Sequence, residues 1–245
     1  MRDSVRAAFV AFTTPFEGCV NHFYCDVKGL VTVAIGNLAE PMQVALTLPF
    51  VHPDGTFASR SEIAVEWLAV KNDPLSARLG HRYSANGTLL RLTPQGIDMV
   101  VSRKLSQMDA YLASRFGDDY EDWSACAQLA TLSMSWACGP AFRFPALEQA
   151  LRARDFDGAA ANCHMNEAGN PGLRPRNLAN AILYRNAART DAFHLDPSML
   201  DWVHDLSVAE AETQPELPDL APDSEPEEGT IHVSVEGWPP GQAKG

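Results

Sequence analysis

Three residues whose types suit bond-breaking chemistry lie close together near the N-terminus: Glu17, Asp26 and Thr32. Asp26 follows Glu17 by nine positions, and Thr32 follows Asp26 by six. Between the acids the chain reads Asn21-His22-Phe23-Tyr24-Cys25, with polar and aromatic residues alternating. After Asp26 come a Lys28-Gly29 turn and the run Leu30-Val31-Thr32-Val33-Ala34-Ile35-Gly36. That run is β-branched and bounded by glycines, as a strand is. The pattern predicts helix end, strand, tight turn, strand, with Glu17 where the helix stops and Asp26 and Thr32 on a hairpin facing it. Two carboxylates on separate rigid elements suit hydrolysis of a glycosidic bond. One protonates the leaving oxygen, and the other activates water or steadies a cationic centre. Singly, Glu17 reads as a turn cap and Asp26 as a plain turn acid; type, spacing and element together favour catalysis.

The elements that must position these residues read as α+β, mainly helical. Residues 3–16 form an amphipathic helix with Val5, Ala8, Phe9 and Phe12 on one face, and Pro15 predicts that it ends early. The hairpin runs to about residue 38. In residues 39–92, His52-Pro53-Asp54-Gly55 is a turn. Ser59-Arg60-Ser61-Glu62 fits a capping box for a helix to Lys71 with Ile63, Trp67 and Leu68 inward. Residues 73–88 read as irregular loop closing at Asn86-Gly87, either a cleft wall with His81, Arg82 and Tyr83 as candidate sugar contacts or a folded-over lid that touches no substrate. Thr93-Pro94 opens a long helix with an apolar stripe of Ile97, Val100, Val101, Leu105, Met108 and Leu112. Residues 123–138 are apolar nearly all round, as a buried central helix is. Gly139-Pro140 ends it. Helices follow from Phe144 to about Arg154, from Asp155, and from Asn177 to Arg189.

The stretch Phe16 to Leu38 resembles the catalytic segment of the phage-type lysozymes, the muramidase glycoside hydrolases. Their pattern is Glu, eight residues, Asp, five residues, Thr, on a helix end followed by a β-hairpin. Glu17, Asp26 and Thr32 match it, and Tyr24, Gly29 and Gly36 match the hairpin frame. Where the family often has Gly-x-Gly-His, this chain has Ala34-Ile35-Gly36-Asn37. The order of helices after residue 93 is similar too, so the likeness spans about residues 3–38 and 93–190. Residues 39–92 are then an insertion. The resemblance implies a two-lobed lysozyme-like fold over residues 1–206 and cleavage of the β-1,4 bond between N-acetylmuramic acid and N-acetylglucosamine, with no cofactor. Glu17 is then the general acid, with Phe12, Phe16 and Phe23 available to raise its pKa. Asp26 and Thr32 position the water, and the inverting geometry sets the carboxyl groups about 6.5–9.5 Å apart. Arg176 matches a family arginine expected to pair with Glu17; Asn170 and Tyr24 are supporting residues. Residues 59–70, Asn170-Pro171-Gly172 and Pro175-Arg176-Asn177 are similar to lysozyme-like antibacterial effectors delivered by type VI secretion. That setting implies a secretion carrier and an immunity protein that plugs the cleft. A phage endolysin and a wall-binding module without turnover are the alternatives.

Composition narrows the classes. The 245 residues carry a net charge of −12, which supports neither a nucleic-acid face nor long-range attraction to an anionic wall. Residues 206–245 hold nine acids and one lysine. With six prolines among them, residues 207–245 read as a disordered acidic tail, with Thr230–Glu236 an island of strand-like alternation. No apolar run is long enough to span a bilayer. The N-terminus lacks a signal-peptide pattern, so the expectation is synthesis in the cytoplasm, action at the target cell's periplasm or wall, and a monomer. The five cysteines read as buried and reduced. Cys138 and His164 are the types of a thiol peptidase, but the surrounding sequence lacks an exposed nucleophile turn. No paired His/Cys spacing points to zinc.

Overall fold

A computed structural model describes residues 1–202 apart from 27, 84–87, 169 and 171. The expected acidic tail, with its Thr230–Glu236 island of strand-like alternation, and the Asn86-Gly87 loop end lie outside the described residues. The chain is mainly helical with a small antiparallel sheet. Helix α1 (Asp3–Glu17) leads into strands β1 (Val20–Cys25), β2 (Val31–Ala34) and β3 (Asn37–Leu38), ordered β1-β2-β3. Short α2 (Met42–Ala45) and β4 (Phe50–Val51) precede α3 (Arg60–Asn72) and α4 (Pro74–Leu79). A 3₁₀ turn (Gly80–Tyr83) and β5 (Arg91–Leu92), which pairs with β4, follow. The remaining helices are α5 (Pro94–Phe116), α6 (Asp118–Asp122), α7 (Ala125–Cys138), α8 (Pro145–Arg152), α9 (Phe156–Asn162) and α10 (Leu173–Ala192).

Helix α7 is the hub. Every residue from Ala125 to Trp136 is buried, which explains its apolar composition on all sides. Helices α1, α5 and α10 pack on it. Two of its buried polar side chains tie it to other parts of the chain. Gln128 accepts from the Arg2 amide at 2.7 Å and donates to the Tyr120 carbonyl at 2.9 Å, fixing the start of the chain to the hub. Thr131 and Tyr184 share a 2.9 Å hydrogen bond across to α10. Among the described residues no helix is long and apolar enough to cross a membrane.

Five expectations change. Helix α1 continues through Pro15 to Glu17. Proline removes only the donor to the Ala11 carbonyl, and Ala11 is exposed, so water can take its place. The segment 73–83 is not irregular. Asp73 accepts from the Leu75 amide and Pro74 stands in the first turn of α4, an N-terminal signal that the flanking polar residues mask. On α3 the capping box forms as expected, but Val70 is buried and Leu68 is 44% exposed. Ile63, Trp67 and Val70 share a face, and Leu68 lies one step round from it. Helix α10 begins at Leu173, four residues before the expected start, with Pro175 tolerated in its first turn. The cysteines are all unpaired, but Cys19 and Cys138 are exposed rather than buried.

Candidate active site

Glu17 is the last residue of α1, and Gly18 (φ +71°) turns the chain back into β1. In the sheet Tyr24 pairs directly with Thr32, so the two side chains share a face. Asp26 follows the end of β1. Its Oδ1 accepts the amides of Lys28 (2.8 Å) and Leu30 (2.9 Å), and Gly29 (φ +72°) completes the turn. Thr32 is buried, and its hydroxyl donates to the Leu30 carbonyl at 3.1 Å.

The two acids meet electrostatically at Tyr24. Burial, then Glu17, then Asp26 push the Tyr24 hydroxyl up to about 12. Both carboxylates therefore lie near enough to Tyr24 to disfavour its ionised form.

Glu17 is also held from the helical side. Arg176, 2% exposed, brings Nη2 to 2.7 Å from Glu17 Oε1. That contact is an ion pair by distance but lacks hydrogen-bond alignment, and Arg176 Nε and Nη2 find no acceptor among the described residues. The guanidinium also lies 5.0 Å from the Phe16 ring centre, and Phe16 stands edge-on to Phe12 at 5.3 Å. Phe23 does not join this apolar wall; it stacks on Phe50 at 4.4 Å.

A second cation near Glu17 is Lys104, on α5. Its ammonium donates to the Gly36 carbonyl at 3.2 Å and sits 3.9 Å above the Trp136 ring. Trp136 in turn donates to the Ile35 carbonyl at 3.1 Å. Burial pulls the Lys104 pKa down to about 8; Glu17 opposes the fall and Arg176 adds to it. The hairpin corner is thereby fastened to α5 and α7. At this corner Ala34 adopts a left-handed φ of +55°, the conformation glycine takes more easily. Asn37 closes it by accepting the Ile35 amide at 3.2 Å and donating to the Val100 carbonyl at 3.4 Å. A Cβ on Gly36 would lie 3.9 Å from Glu17 Oε2, so the corner borders the acid closely.

Two cavities flank this arrangement. One, of about 490 Å³, runs between the hairpin corner, α5 and the segment after β3, with Gly36, Leu38, Val44, Arg103, Lys104 and Tyr111 among its walls. The other, about 360 Å³, opens at Asp26 between Tyr24 and the segment Ala77–His81. Glu17 lines neither of these two; it borders Gly36, a wall of the first, while Asp26 and Tyr24 line the second.

The structure thus pairs Glu17 with Arg176, Tyr24 with Thr32, and Tyr24 with Asp26 at one cavity; Glu17 acts on Tyr24 electrostatically. Asn170 is exposed. It closes the loop before α10, accepting the Leu173 amide at 3.1 Å, and no described contact joins it to either acid. Of the candidate sugar contacts, Tyr83 is buried with its hydroxyl on Asp73 at 3.0 Å, while His81 and Arg82 are exposed. Lys104 was readable: it occupies a helical position among Val100, Val101 and Met108 on the apolar stripe, where a cation needs a reason. Asn177 carried no such signal. It clamps the loop ahead of α10 by paired bonds with the Met165 amide and carbonyl, both 2.9 Å.

A thiol nucleophile is disfavoured. Though the residue is exposed, partial burial of its sulfur pushes the Cys138 thiol up; the sulfur contacts Met165 Sδ at 3.3 Å, while His164 lies 3.6 Å from Glu167. Among the described residues no group of three or more His, Cys, Asp or Glu could hold a metal. No protein-family model matches the chain, and no curated protein matches it.

Proposed function

We propose that the chain is a peptidoglycan muramidase with a two-lobed lysozyme-like fold, hydrolysing the β-1,4 bond between N-acetylmuramic acid and N-acetylglucosamine. The observation that carries the reading is geometric: Glu17 ends α1 with Arg176 at 2.7 Å, and the adjoining hairpin pairs Thr32 with Tyr24 and sets Asp26 at the cavity of about 360 Å³. One carboxyl from a helix end and one from a hairpin turn are the pair that glycoside hydrolysis asks for.

Glu17 donates its proton to the glycosidic oxygen as the bond to the anomeric carbon breaks. Asp26 takes a proton from the water that attacks the same carbon from the opposite face, and a new C–OH bond forms with inversion. The Thr32 hydroxyl, already donating to Leu30, keeps its oxygen lone pairs to accept from that water. Arg176 fixes the position of the Glu17 carboxyl, and the protein needs no cofactor for any of these steps.

We place the enzyme among delivered antibacterial effectors rather than free endolysins, since a net charge of −12 gives no long-range pull toward an anionic wall. A carrier and an immunity protein are the partners that setting requires. A second reading, a glycan-binding module without turnover, draws on one observation: Asp26 Oδ1 already accepts two amides, as a plain turn acid does.

Mass analysis of purified peptidoglycan digested by the protein separates these. The muramidase reading predicts disaccharide-peptides with muramic acid at the reducing end. Fragments with a reducing-end glucosamine, cut peptides, or no release at all would contradict it.

A further inference from the structure

The segment Pro74–Tyr83 forms a built wall beside Asp26. Asp73 braces it at both ends, accepting the Leu75 amide at 2.8 Å and the Tyr83 hydroxyl at 3.0 Å. Gly80 (φ +53°) lets it approach β1, since a Cβ there would lie 3.7 Å from the Cys25 carbonyl in a backbone conformation that side chains resist. His22, buried in β1, points Nε2 at the His81 carbonyl at 3.3 Å. A carbonyl only accepts, so that nitrogen carries the proton. These contacts fix the wall relative to the acid.

What the wall presents is cationic and polar. Arg78 and His81 line the cavity of about 360 Å³ together with Tyr24 and Asp26, and exposed Arg82 follows. Neither Arg78 nor Arg82 has a hydrogen bond or ion pair with a described residue. In a chain of net charge −12, a guanidinium that shares a cavity with a proposed catalytic carboxylate stands out. A guanidinium offers a planar fork of donors matched to a carboxylate. Leu79, 41% exposed, gives the same wall an apolar surface for a sugar ring or an aliphatic stem.

We propose that Arg78, with His81, binds a carboxylate carried by the glycan substrate, so that this wall selects acidic peptidoglycan over neutral β-1,4 glycans. The proposal rests on the muramidase reading for its substrate class. Two carboxylates fit the chemistry: those of the peptide stem, and the lactyl carboxylate left free when the stem is removed. Arg78 sits in the Asp26 cavity without contacting Asp26 within ion-pair distance, which leaves its donors for the ligand.

The test measures binding in a Glu17→Gln background, so that it does not depend on turnover. Three glycans serve as probes: stem-bearing peptidoglycan fragments, amidase-stripped fragments, and a neutral N-acetylglucosamine oligomer. An added Arg78→Gln/His81→Gln pair should weaken binding of a carboxylate-bearing probe about tenfold and leave the neutral oligomer unchanged. The carboxylated probe that responds names the source. Equal weakening of all three probes, no weakening of any, or no binding of any would overturn the proposal. An unchanged thermal midpoint confirms that the exposed pair leaves the fold intact. Absence of that carboxylate-selective weakening, with wild-type product release intact, removes this inference alone. Discrimination in a protein that releases no fragments removes the hydrolysis reading and leaves the wall.

Discussion

The two acids are held in opposite ways. Glu17 is fixed by residues far along the chain: Arg176 from α10 at 2.7 Å, with Lys104 of α5 acting on it electrostatically. Asp26 is fixed by its own turn, through amides two and four residues on, and is then walled by a segment that His22 ties down. One end of the site depends on helices folding together; the other is local and framed by the segment between β3 and α5. The comparison teaches that global stability and the geometry of Glu17 are coupled, while Asp26 can be perturbed almost alone.

Arg176→Ala breaks that comparison hardest. It removes a large side chain only 2% exposed and leaves Glu17, whose side chain is 29% exposed, still partly solvated. The expected cost is about 2–4 kcal/mol by chemical denaturation, mostly lost packing. A change below about 0.5 kcal/mol would mean that α10 does not hold Glu17.

Next come two titrations, one at each end. Burial, with Arg91 second, pulls the His22 pKa from 6.5 to about 4, against the His81 carbonyl bond. The unfolded chain therefore binds the proton first. Stability from this group is present above 6.5 and is lost as pH falls toward about 4, by about 1–3 kcal/mol. His22→Gln should flatten that window when unfolding free energy is followed against pH. Lys104, down to about 8, acts at the Glu17 end on the alkaline side. Between about 8 and 10.5 the folded state releases its proton first, so stability rises with pH there. The wild-type rise, compared with Lys104→Met, should differ by about 1–3 kcal/mol, and coincident curves would contradict a buried ammonium.

Smallest is Asp26→Asn. The amide oxygen can still accept from Lys28 and Leu30, so stability should move by about 0.5–1 kcal/mol at most. A loss as large as that of Arg176→Ala would make Asp26 a structural residue.

Much of this contrast was legible in the sequence. The spacing of Glu17, Asp26 and Thr32 marked the local end, and the alternation through Tyr24 marked the hairpin that carries it. Helices α3, α5 and α7 followed from Ser59 and Thr93 caps and from apolar periodicity. The far contacts were not equally readable. Arg176 was expected near Glu17 only through family resemblance, since no local pattern links a first-turn arginine of α10 to the end of α1. Lys104 left a trace as a cation on an apolar stripe, but only the folded chain shows that the Trp136 ring and the Gly36 carbonyl receive it. The α4 wall was missed because Asp73-Pro74 is short and followed by mixed polar residues, so its helix is set by the cap and by packing on β1 rather than by periodicity.

The most direct measurement compares peptidoglycan release by wild type, Glu17→Gln and Asp26→Asn, each confirmed folded by its thermal midpoint. The account predicts that Glu17→Gln loses at least about 10³-fold and Asp26→Asn at least about 10²-fold in turnover, with glycan binding retained. Undiminished release by folded Glu17→Gln would contradict the claim that this carboxyl supplies the proton.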